Sequence, residues 1–139
     1  MLASIVEDLE RVGIPAERIG LLGFSQGGCL ALEFAARTAR RYGAAIGLSS
    51  GLIGPAGTVF QYQSRFDGTP VFLGCSDVDP HIPIERFNES AKTLTAMGAK
   101  VDARVYPNMG HSINDDEVRA VRALIASIPP TDSAPVSGT

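Results

Sequence analysis

The chain has 139 residues, 45% hydrophobic and 19% charged, enough apolar material for a core and too little charge for a disordered chain. At this length one domain is expected, burying roughly two thirds of its unfolded surface. The net charge of −3 comes from interspersed acids and bases, and no Lys/Arg cluster is interleaved with aromatics, so no nucleic-acid partner is expected.

The N-terminus, Met1-Leu2-Ala3-Ser4-Ile5-Val6-Glu7, lacks a basic segment followed by a long apolar one, and no apolar stretch approaches the ~20 residues of a membrane span. The expected location is cytoplasmic. Ser4 and Glu7 have the spacing of a capping box, which predicts an amphipathic helix with Ile5, Val6, Leu9 and Val12 on its apolar face and a stop at Gly13. Runs at 19–24, 44–49 and 71–75 carry few charges and end in Gly, Pro or Ser, as expected of central parallel strands covered on both faces. Helical stretches at 27–41, 84–97 and 114–127 alternate with them and imply βαβ crossovers.

Val101, Ala103 and Val105 alternate with wetter residues, which places the 101–106 strand at a sheet margin. In the last helix, Asp115, Asp116 and Glu117 complement the dipole of the first turn, and Val118, Val121, Leu124, Ile125 and Ile128 form the expected buried stripe. Residues 1–128 read as the folded domain and 129–139, rich in Pro, Ser and Thr, as a disordered tail. The connection from Gly51 to Gly68 is long for a compact α/β domain and follows a strand's C-terminal end, where such sheets bind ligands. Leu52, Ile53, Phe60 and Tyr62 are therefore expected in a pocket wall.

Gly23-Phe24-Ser25-Gln26-Gly27 sits between a strand and a helix, the context that makes a G-x-S-x-G match a nucleophile elbow. A serine hydroxyl is a weak nucleophile at neutral pH and needs a base, which in turn needs an orienting group. Of the two histidines, His111 lies in a loop after the final strand, while His81 lies on the loop that also holds Asp77 and Asp79. As base, His81 would have to turn back on its own segment, so its expected place is the pocket rim. The chain order Ser, Asp, His is that of α/β-hydrolases. Pro80 biases Asp79 toward an extended backbone that can project its carboxylate from the strand end, whereas Asp77 is expected to tie down its own loop. Asp77, Asp79 and His81 could also be read as a hard-cation cluster, a weak reading for three ligands on one short loop. Cys29 and Cys75 read as buried thiols, without the spacing of a disulfide framework or zinc site.

Gly23 to Gly28, Gly74-Cys75-Ser76-Asp77-Val78-Asp79-Pro80-His81-Ile82-Pro83 and Tyr106-Pro107-Asn108-Met109-Gly110-His111 together resemble the signature blocks of the phospholipase/carboxylesterase family, the α/β-hydrolases that include acyl-protein thioesterases. The resemblance runs from about Val12 to Ile128. It implies Ser25 as nucleophile, Asp79 as triad acid and His111 as base, with hydrolysis of esters or thioesters and neither metal nor organic cofactor. A peptidase or lactone hydrolase on the same scaffold is the rival enzyme.

In this fold one oxyanion donor is the backbone N–H after the nucleophile, here Gln26, and the second comes from a loop upstream of the first helix read here. With that loop outside the sequence, the fold expectation is the C-terminal half of an α/β-hydrolase, about four parallel strands with flanking helices. The non-catalytic alternative is a remnant or assembly module without a complete oxyanion hole, because losing one donor typically costs on the order of 10²–10³ in kcat. The 19–24 strand would also leave one sheet edge open, from which a homodimer across that edge, a missing upstream segment or poor solubility is expected. Gln26, Met109 and the 51–68 loop are expected to shape the substrate pocket.

Overall fold

A computed structural model describes residues 1–130, so the expected tail at 131–139 lies outside the described residues. In chain order come α1 (Leu2–Arg11), a 3-10 turn (Ala16–Arg18), β1 (Gly20–Phe24), α2 (Gln26–Arg37), β2 (Ala44–Leu48), β3 (Pro70–Ser76), α3 (Ile84–Ala96), β4 (Lys100–Tyr106) and α4 (Asp115–Ala126). The four strands form one parallel sheet in the order β1-β2-β3-β4, with Leu21 opposite Ala45, Ile46 opposite Phe72 and Leu73 opposite Ala103.

Alternation along the strands divides the core in two. One face of the sheet presents Leu21, Ala45, Val71, Leu73 and Cys75 to Val6 of α1, Leu32, Ala35 and Ala36 of α2, and Phe87 and Leu94 of α3. The other presents Ala44, Ile46, Leu48 and Phe72 to Ala120, Val121 and Leu124 of α4, with Ile128 just beyond it. Fully burying a side chain such as Phe87 or Leu94 stabilises the fold by roughly 1.5–3 kcal/mol.

Several expectations are corrected. The capping box at Ser4 does not form: the helix starts one turn earlier with Met1 as N-cap, and the Ser4 hydroxyl donates instead to the Met1 carbonyl. Of its expected stripe only Val6 and Leu9 pack inward, while Val12 is 75% exposed because α1 touches the core along one narrow line. Gly13 does end this segment, with φ +97° and its N–H on the Glu10 carbonyl. The helix expected at 27–41 stops at Arg37, where the Thr38 hydroxyl bonds the Phe34 carbonyl and Tyr42 is drawn fully into the core. In α4, Val118 and Ile125 face solvent, since one helix on that face can bury only Ala120, Val121 and Leu124.

The 19–24 strand, apolar like a central one, pairs only with β2, so β1 forms a margin of the described sheet with the open edge expected of it. Leu22 and Phe24 are 52% and 40% exposed on the face where α4 covers β2 and β3. A groove of about 480 Å³ runs there, lined by Leu22, Ala44, Ile46, Ile125 and Ile128. The opposite margin is β4, as its alternation indicated.

Candidate active site

Ser25 stands at the junction of β1 and α2 with φ +57°, in the left-handed region that a non-glycine residue occupies only under constraint. The constraint is visible: its N–H is held by the Leu48 carbonyl at 2.9 Å, and its own carbonyl accepts from the Cys29 N–H at 2.9 Å. Two glycines allow the crossing, since a Cβ at Gly23 would overlap the Gly27 backbone and one at Gly28 would press on Ser50 and the Gly23 carbonyl. Gly27, the second glycine of the motif, has open space where its Cβ would stand. The steric demand falls on Gly23 and Gly28.

The loops after β3 and β4 meet above Ser25. His111 Nε2 lies 2.7 Å from Ser25 Oγ and Nδ1 lies 2.7 Å from Asp79 Oδ2. The second oxygen, Asp79 Oδ1, accepts from the backbone N–H groups of His81 at 2.8 Å and Ile82 at 3.2 Å. Burial pushes the Asp79 carboxyl up, but the bond to His111 and the two backbone amides outweigh it and hold the group below its ordinary range. A carboxylate can only accept, so Nδ1 carries the proton of a neutral imidazole, leaving Nε2 free to accept the Ser25 hydroxyl. The ring itself is wedged between Phe24 at 5.0 Å and His81 at 4.6 Å, centroid to centroid.

The His111 loop is tied down on three sides. Gly110 N–H donates to Ser76 Oγ at 2.9 Å, Asn108 N–H to Asp77 Oδ1 at 2.9 Å, and the Ser49 hydroxyl to the Ser112 carbonyl at 3.1 Å. Asp77 thus binds the neighbouring loop rather than its own, because the parallel pairing of β3 with β4 brings the two loops side by side. Behind them, Asn114 and Glu117 form a reciprocal capping box that starts α4. Glu117, expected only as a first-turn carboxylate complementing the dipole, is fully buried against Gly74, with Oε2 lacking a hydrogen-bond partner, and burial raises its pKa.

Gln26 is the first residue of α2, so its N–H has no acceptor within the helix and lies at the positive end of the dipole. Leu52, Ile53 and His81 line a cavity of about 500 Å³ together with Cys29, Pro83 and Arg86. Cys29 is therefore half-open to that cavity rather than buried, unlike Cys75, whose thiol burial and then the nearby Asp79 push up to about 11. Phe60 and Tyr62 do not share it. They stack near-parallel in a separate depression with Glu33 and Arg37, because each is pulled onto a charged side chain behind the loop. Met109 is half-buried in the loop before His111. Among the described residues no group of three or more His, Cys, Asp or Glu side chains is placed to hold a metal ion.

Sequence reasoning missed Glu33 and Arg86, which hold the 51–68 loop. A lone Glu within the otherwise apolar run Cys29 to Ala36 was the available signal for the first; nothing local marked the second.

The profile of the phospholipase/carboxylesterase family matches residues 1–128. The chain is 37% identical over 122 residues to acyl-protein thioesterase 1 of Gibberella zeae, covering 85% of this chain and 52% of that protein. It is 25% identical over 127 residues to lysophospholipase-like protein 1 of Mus musculus, covering 90% and 53%. A solved phospholipase/carboxylesterase from Dyadobacter fermentans superposes with a TM-score of 0.85 at 42% identity, over 90% of this chain and 60% of that one. The chain spans about half the length of the relatives it matches.

Proposed function

The chain belongs to the phospholipase/carboxylesterase family, and on that premise we propose that it is a serine hydrolase acting on carboxylic esters or thioesters. The observation that carries the reading is the unbroken line from Ser25 Oγ through both ring nitrogens of His111 to Asp79. In this reading the Ser25 oxygen attacks the acyl carbonyl as His111 Nε2 takes its proton, and the imidazolium that forms faces the buried Asp79 carboxylate. His111 then protonates the departing alcohol or thiol, leaving an acyl-Ser25. Water attacks that ester with His111 again as base, and the proton returns to Ser25 as the acid leaves. The Gln26 N–H, at the head of α2, faces the developing oxyanion. No step calls on a metal or an organic cofactor.

A fluorophosphonate probe with mapping of the labelled residue, beside p-nitrophenyl acetate and butyrate turnover, tests this directly. Labelling confined to Ser25, with turnover lost in Ser25→Ala, is the expected result; an unlabelled, inactive chain would overturn it. That second result would favour a non-catalytic module. The observation behind that alternative is that the described residues before β1 form α1 and a 3-10 turn. We also infer a homodimer across the outer edge of β1, supported by that edge being unpaired among the described residues and by the exposed Leu22 and Phe24.

A further inference from the structure

The segment from Gly51 to Gly68 contains no helix or strand, yet a buried and a half-buried charge from different helices hold it. Glu33 lies on α2 eight residues beyond Ser25, about 12 Å along the same helix, and is only 7% exposed. Its Oε1 accepts from the Ile53 backbone N–H at 2.9 Å, and its Oε2 accepts from the Tyr62 hydroxyl and the Arg37 Nε, each at 2.9 Å. Arg86, on α3, does the complementary work. It donates to the carbonyls of Leu52, Gly54 and Pro55, and its guanidinium lies 4.9 Å from the centre of the Phe60 ring. Donors of the loop are thus collected by a carboxylate and acceptors by a guanidinium, each charge being used in several hydrogen bonds.

Ile53 is the residue on which this matters. It lines both the depression over Glu33 and the cavity of about 500 Å³ whose lining also includes His81. His81 in turn touches the His111 ring. Through the Ile53 N–H, Glu33 thus holds one lining residue of a cavity that borders the His111 ring by way of His81, and Glu33 itself is not part of that lining. Ile53 shares that cavity with the apolar Leu52, Gly54, Ala56 and Pro83, while Glu85, Arg86 and Glu89 also contribute to its lining.

We propose that Glu33 is a positioning residue for substrate selectivity: by latching Ile53 and Tyr62 to the nucleophile helix, it fixes the width of a partly apolar cavity that receives the acyl chain. The proposal rests on the serine-hydrolase reading. Its consequence is a preformed wall with a defined chain-length preference, in place of a loop that adapts to each substrate. Loosening the latch alters which acyl groups fit while leaving the proton relay in place, since Ser25, His111 and Asp79 make no bond to Glu33.

The test compares wild type with Glu33→Ala and with Tyr62→Phe, which removes a single hydroxyl and leaves the rest of the network. Two readouts are needed: amide hydrogen exchange over residues 52–62, and kcat/KM for p-nitrophenyl esters from acetate to octanoate. Expected is exchange faster by about tenfold or more at Ile53 and its neighbours in Glu33→Ala, with a smaller rise in Tyr62→Phe and α3 unaffected. The octanoate-to-acetate ratio should shift about fivefold or more, with acetate turnover within about threefold of wild type. Unchanged exchange in both variants would overturn the latch. A uniform loss across all chain lengths would overturn the selectivity role, because that is what a merely structural residue produces. A wild-type chain that never labels at Ser25 fails the hydrolase reading and the selectivity claim with it, while the exchange data still decide whether Glu33 holds the loop.

Discussion

Ser25 has two unlike sides. Toward β2, β3 and β4 its surroundings are closed: His111 reaches it from a loop bonded to Ser76, Asp77 and Ser49, and Asp79 is satisfied on both oxygens. Toward the outer edge of β1 the described chain stops at an unpaired strand with half-exposed Leu22 and Phe24. The contrast separates the two requirements of acyl transfer. The groups proposed to move the proton are brought together by parallel neighbours, whereas the proposed oxyanion donor, the Gln26 N–H, follows β1 directly, at the open margin of the described sheet.

The largest expected effect lies on the closed side. Replacing Ser25 or His111 with Ala should remove fluorophosphonate labelling, and Asp79→Asn should slow esterase turnover on the order of 10⁴-fold by favouring the wrong tautomer. Equal rates for Asp79→Asn and wild type would show that the hydrogen-bonded line is not the reactive one. Next in size is a contrast between neighbouring glycines. Gly28→Ala should destabilise the chain by about 3 kcal/mol or more in urea unfolding, because the new Cβ meets Ser50 and the Gly23 backbone, while Gly27→Ala should change stability by less than about 0.5 kcal/mol. Similar losses for both would mean that the elbow is packed differently.

A smaller effect, of about 1 kcal/mol, is expected for Asp77→Ala, which unties Asn108 from the acid loop; faster amide exchange at 108–112 should accompany it. Acidity offers a finer probe of the same region. The depressed Asp79 carboxyl contributes stability that is present above about pH 4 and lost as pH falls through its folded pKa. Glu117, raised by burial, has the opposite sign: its contribution is present below about pH 4.3 and declines as pH rises toward its folded value. Asp79→Asn should flatten the acid limb of stability against pH and Glu117→Gln the limb above it. A curve that neither variant changes would contradict both environments. On the open side, Leu22→Lys should shift sedimentation from dimer to monomer if copies pair across β1, with little effect on unfolding.

Much of this was legible before any coordinates. β1, β2 and β3 were visible because covered parallel strands are apolar over their length, and β4 with its margin position because Val101, Ala103 and Val105 alternate. The order of Ser25, Asp79 and His111 was likewise written into motifs that carry their own backbone constraints. Helix ends were less legible: α2 stops at Arg37 because Tyr42 goes to the core, a tertiary demand that the helical pattern through Arg41 does not reveal. Phe60 and Tyr62 were misplaced for the same kind of reason. An aromatic in a loop after a strand can face a cavity or brace the loop from behind, and only the positions of Glu33 and Arg86 decide which.

What the sequence determined by itself was local: which segments pair, where the chain makes its tight turn, and which side chains have the chemistry for acyl transfer. These follow from periodicity and from residue types whose backbone preferences act over a few neighbours. The tertiary structure alone decided the rest. It took Glu117 out of solvent, turned Asp77 toward Asn108 and used Glu33 to hold a loop 20 to 29 residues further on. Each of these depends on contacts between segments distant in the chain, where burial and pairing outweigh the solvent-exposed default that a charged residue carries in the sequence.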